Sequence, residues 1–139
     1  MNPKIEEMIN EYIEDGDFIG KVSDEAIEKA EEVLKVKFPR DYRKFVKHYG
    51  SGGICGVDIL GIKGVDYASV VEKTQQYREL GLPKKYIVIE NVGEFVYCLD
   101  TLENFNVVRW DDISKRELFR YTTFDEYLTD SFQEAIDNI

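Results

Sequence analysis

One histidine, His48, two cysteines, Cys55 and Cys98, three prolines and one tryptophan are all that 139 residues supply of these types. A single imidazole excludes metal sites that need two or more, and it obliges any Ser–His or Cys–His nucleophile to be built on His48. Cys55 and Cys98 lie far apart in apolar surroundings and read as reduced, buried thiols. No run of 18 or more apolar residues is present, so no membrane-spanning helix is expected. Met1–Met8 lacks the apolar centre of a signal peptide, which makes the cytoplasm the expected location. Internal repeats, low-complexity tracts and Gly/Pro/Ser-rich linkers are also missing, and one domain over residues 1–139 is the reading.

What is present is globular, with 43% hydrophobic and 13% aromatic residues. The 18 bases and 28 acids give a net charge of −10, unevenly spread. Residues 1–32 hold 11 acids and 3 bases, and residues 90–139 hold 12 and 4; between them, residues 33–50 hold 1 acid and 6 bases. Nucleic acid and anionic membrane repel such a surface, while basic partners attract it.

The basic island contains the most organised stretch, Phe38–Gly53. Tyr42, Phe45, Val46 and Tyr49 recur at the spacing of one helix face, and Arg40, Arg43, Lys44 and Lys47 repeat it on the opposite face. Pro39 suits the first helical position, Gly50 suits the exit, and Gly52-Gly53 allows a turn where a Cβ would clash. Before it, Ile5–Ile13 predicts a helix, and Ser23 caps a second one running to about Val36. After it, Ile54–Ile62 reads as one or two short strands. An inserted helix follows, capped at Asp66 or by a Ser69/Glu72 box. Tyr86–Glu90 and Phe95–Asp100 flank an Asn91-Val92-Gly93 hairpin turn, and Val107–Trp110 and Leu118–Tyr121 extend the meander. Thr123 with Glu126 opens a closing helix packed through Phe124, Leu128, Phe132, Ala135, Ile136 and Ile139. The expected class is α+β: N-terminal helices, a mostly antiparallel sheet with one inserted helix, and a C-terminal helix.

A search for chemistry yields no catalytic or metal site. A Cys55–His48 dyad is weighed against a surface histidine and a core cysteine, and the second reading is preferred. Carboxylate pairs such as Asp111-Asp112, Glu90 with Glu94, and Asp100 with Glu103 arise readily in an acidic chain, and none declares a glycosidase cleft. Gly50-Ser51-Gly52-Gly53 lacks the lysine of a phosphate loop and follows a helix instead of preceding one. The basic stripe reads as a solvated helix face.

Val36-Lys37-Phe38-Pro39-Arg40-Asp41-Tyr42, then Phe45, Tyr49-Gly50 and Gly52-Gly53, resembles the N-terminal signature of the SUKH superfamily. That group is built around the yeast Smi/Knr cell-wall assembly regulators and many bacterial immunity proteins. Ala68-Ser69-Val70-Val71, Ile87–Glu90, Phe95–Thr101 and Val107–Asp111 continue the likeness, which covers about residues 23–137 and looks most similar to the YobK-type immunity proteins. The resemblance implies a domain without catalytic residues or cofactor, with Gly50, Gly52 and Gly53 as a structural turn. It also implies a cognate toxin as partner, often a nuclease, and a Smi/Knr-type regulatory module as the alternative. The acidic residues at the hairpin and strand ends, Glu90, Glu94, Asp100, Asp111 and Asp112, are the expected contacts of a basic toxin domain. A monomer or weak dimer fits.

Overall fold

Residues 1–64 and 66–139 are described by a computed structural model. Four helices come first, α1 (Pro3–Tyr12), α2 (Asp24–Leu34), α3 (Arg40–Tyr49) and α4 (Ser69–Glu79). The strands β1 (Tyr86–Asn91), β2 (Val96–Asp100), β3 (Val107–Trp110) and β4 (Leu118–Tyr121) then precede α5 (Phe124–Asp137). The strands form an antiparallel meander in the order β1-β2-β3-β4, and the class is α+β as expected. Helix starts are set locally. Asn2 accepts the Lys4 amide, Ser23 that of Ala26 and Thr123 that of Glu126, satisfying N–H groups the helix leaves unpaired. Lys35, in the left-handed region at φ 57°, ends α2.

The aromatic stripe of α3 faces inward. Tyr42, Phe45 and Val46 are fully buried, and Phe124 of α5 packs on the Tyr42 and Phe45 rings at 5.3 and 5.8 Å. Pro39 sits one position earlier than expected. Its carbonyl accepts the first helical N–H, from Arg43, while ψ of 149° keeps it outside the helix. Beyond Gly50 the backbone passes very close to its neighbours: a Cβ on Gly52, at φ 117°, would lie 1.9 Å from the Asp17 carbonyl oxygen. The Tyr42 hydroxyl donates to the Leu60 carbonyl at 2.7 Å, tying helix to loop.

Two local expectations are corrected. Ile54–Ile62 makes no strand; it contributes single bridges among Phe18, Gly52 and Ile59, plus a Leu60 amide bond to the Ile89 carbonyl on the outer edge of β1. Cys55 and Gly56 at φ 53° and 88° turn the segment back before a ladder can extend. The Ser69/Glu72 box also does not form. Ser69 is already helical, and its hydroxyl is held by the buried Gly61 backbone, accepting from the N–H and donating to the carbonyl. A buried peptide group left unpaired costs more than a helix end open to water, so the loop takes the hydroxyl.

β1 and β2 are buried along nearly their whole lengths, as their unbroken apolar runs predict. Tyr77 of α4 meets Trp110 on one side of the sheet; Tyr127 of α5 meets Tyr97 on the other. Of the residues expected to pack α5, Phe124, Leu128 and Phe132 are buried, Ala135 and Ile136 are half-buried, and Ile139 is exposed.

Candidate protein-binding surface

Two of the four cations in the basic stripe of α3 are paired within the molecule. Arg43 donates to Glu31 at 2.8 Å, and the second Glu31 oxygen accepts the Phe38 amide at 2.6 Å, so this buried carboxylate is fully engaged. Lys47 pairs with Asp24 at 3.1 Å, and the charge of Lys44 is felt by Asp125 of α5. The ion pairs of the basic island thus tie α3 to the acidic helix α2.

α5 is built the other way. It carries five acids, Asp125, Glu126, Asp130, Glu134 and Asp137, and no base. None of them forms an ion pair with a side chain among the described residues. Tyr127, Asp130 and Glu134 fall at i, i+3 and i+7, one stripe of the helix, lying over the sheet between Glu90 of β1 and Tyr121 of β4. The buried Tyr127 hydroxyl donates to Glu90, and that of Tyr121 donates to Asp130 at 2.5 Å. Glu90, Tyr97, Arg109 and Leu118 are register partners across all four strands, forming one row under this stripe. The Tyr97 ring lies 5.2 Å from that of Tyr127 and 5.3 Å from that of Phe95, over which the Arg109 guanidinium stacks at 3.8 Å. Burial raises the pKa of Glu90; the bond from Tyr127 opposes this, and the negative charges of Asp58 and Glu134 add to it. Four elements thus converge on a patch of half-exposed rings with carboxylates that lack cationic partners. Tyrosine and arginine beside unpaired charge are the side chains that carry protein–protein binding energy.

The five acids singled out from the sequence have different fates. Glu90 joins this patch, Glu94 is exposed in the β1–β2 turn, and Asp112 is exposed after β3. Asp111, beside Asp112, accepts from the Ser114 hydroxyl and from the Ser114 and Ile113 amides, which hold its carboxyl below the usual range. Asp100 stands at the opposite end of the sheet, paired with Tyr86, and is buried. It accepts the amides of Leu102 and Glu103 at 2.8 and 3.1 Å and lies 3.8 Å from Lys85, so this buried carboxylate shapes a turn. Gly50, Gly52 and Gly53 form the close-packed turn. The sequence reading missed Tyr97, Tyr121, Tyr127, Asp58, Asp130 and Glu134. The Tyr127–Asp130–Glu134 spacing was legible on α5, but its convergence with β1 was not.

His48 is exposed on α3 and shares no hydrogen bond with the half-buried Cys55, while burial pushes the Cys98 thiol up. Among the described residues no group of three potential metal ligands gathers, and no helix is long and apolar enough to cross a membrane. A cleft of 890 Å³ between α2 and the loops before β1 and after β2 sets Glu31 and Glu32 beside Lys35, Lys37 and Lys85, with no catalytic constellation in its lining.

The fold is that of a small α+β domain. Residues 5–133 match the family described as SUKH_5: SMI1-KNR4 cell-wall, and the chain belongs to that family.

Proposed function

We propose that this chain is an immunity protein, an antitoxin that binds a cognate toxin with a basic nuclease domain and neutralises it by occlusion. The observation that carries the reading is the α5 surface: carboxylates without cationic partners beside half-exposed tyrosines, on a helix that carries no base. A nuclease presents cations to hold phosphates, and carboxylates held at a surface can stand in for that ligand. Glu90, Glu94, Asp112, Asp130 and Glu134 supply the charge, and Tyr97 with Tyr121 the packed contact. The protein acts in the cytoplasm as a binder, not an enzyme, without a cofactor and as a monomer or weak dimer. The family description, with its cell-wall wording, supports a second reading, an intracellular regulatory module of the Smi/Knr type.

Co-expression with the toxin encoded beside its gene tests the first reading. Growth is expected to be restored and a complex recovered. A toxin that stays lethal while both proteins are folded and unassociated overturns it in favour of the regulatory module.

A further inference from the structure

The two edges of the sheet are finished differently. The outer side of β1 receives the Leu60 amide at 2.8 Å on the Ile89 carbonyl. β4 pairs only with β3, and no backbone hydrogen bond reaches its outer side among the described residues. Its side chains are unusual for such a place: Phe119 is 61% exposed, Leu118 45%, and Ile113 in the preceding loop 92%. Arg116 and Arg120 bracket them, and neither forms an ion pair among the described residues, although the chain has 28 acids. Cations and short length serve to blunt an open edge, but large exposed apolar side chains do the opposite. The geometry points to β4 as a docking edge that takes an extended, acidic segment of a partner protein as a fifth strand. Main-chain bonds would supply the affinity, Leu118 and Phe119 the apolar contacts, and Arg116 with Arg120 the selection for carboxylates. β4 adjoins the proposed toxin surface through Leu118 and Tyr121, but the assignment rests on its open edge and its two arginines and is tested with peptides in the absence of any toxin.

The test uses the full chain and two fluorescein-labelled peptides of about eight residues, long enough to cover a short strand. One alternates valine with glutamate and the other valine with lysine. Fluorescence anisotropy is expected to show saturable binding of the glutamate peptide, at least about tenfold tighter than the lysine peptide despite the protein's negative charge. Arg116→Glu with Arg120→Glu should weaken it about tenfold with circular dichroism unchanged, and bound peptide should slow hydrogen exchange in Leu118–Tyr121. Absence of saturable binding, equal binding of the two peptides, or indifference to the arginine reversals overturns the assignment. So does sedimentation showing that β4 is covered by a second copy of the chain.

Discussion

α3 and α5 are amphipathic helices that share a core, their rings meeting at Tyr42, Phe45 and Phe124, yet they treat charge in opposite ways. α3 spends two of its four Lys and Arg side chains on neighbouring carboxylates, through Arg43–Glu31 and Lys47–Asp24. α5 leaves its carboxylates to solvent and to uncharged donors, the Tyr121 hydroxyl on Asp130 and the Gln133 amide on Asp137 among them. Charge counts alone would mark both helices as candidate binding faces. Only pairing separates a charge that organises the fold from one available to a partner.

Substitutions around α3 should therefore damage folding and those on α5 should damage binding. Gly52→Ala carries the largest expected effect. Its Cβ would overlap the Asp17 carbonyl at a backbone angle alanine disfavours, and a loss on the order of 4 kcal/mol or more should appear in urea unfolding. Gly16→Ala, where a Cβ meets nothing within 4 Å, should cost only about 1–2 kcal/mol for its positive φ. Tyr42→Ala should lose about 3–5 kcal/mol, since it empties a fully buried site and orphans the Leu60 carbonyl. On the other helix, Glu134→Lys should leave stability within about 0.5 kcal/mol but weaken toxin binding roughly tenfold, read by calorimetric titration. If the two helices exchanged these phenotypes, the contrast would collapse.

Glu90→Gln sharpens the contrast at one residue. Burial raises the Glu90 pKa above its ordinary value of 4.5, so the folded state holds that proton more tightly than the unfolded chain. The favourable contribution of the protonated form is complete below pH 4.5 and is lost as pH rises through the raised value. At neutral pH the ionised carboxylate therefore detracts from stability. Glu90→Gln should melt slightly higher than the wild type at pH 7, with the difference vanishing in acid, while binding the toxin more weakly. His48→Ala comes last, with neither stability nor binding expected to change.

Local signals were the legible ones. The α3 stripe, the Ser23 and Thr123 caps, the hairpin at Gly93 and the meander strands follow from spacing and turn chemistry within a few residues. What escaped depends on distant atoms. Ser69 abandons its capping box because Gly61 needs its hydroxyl, and Pro39 shifts because its carbonyl serves Arg43. Asp100 looked like a surface acid but closes a turn beside Lys85. Glu90 was picked out as a charge, whereas its neighbours Tyr127 and Glu134 on α5 and Asp58 in the 54–62 segment come from two distant parts of the chain.

The measurement that bears most directly on the claim is the affinity for the neighbouring toxin domain at rising salt, for the wild type and for Glu134→Lys. Unpaired carboxylates on α5 predict wild-type binding that weakens steeply with salt, and a variant that is both weaker and less salt-sensitive. Equal affinity of the two proteins at every ionic strength would contradict it.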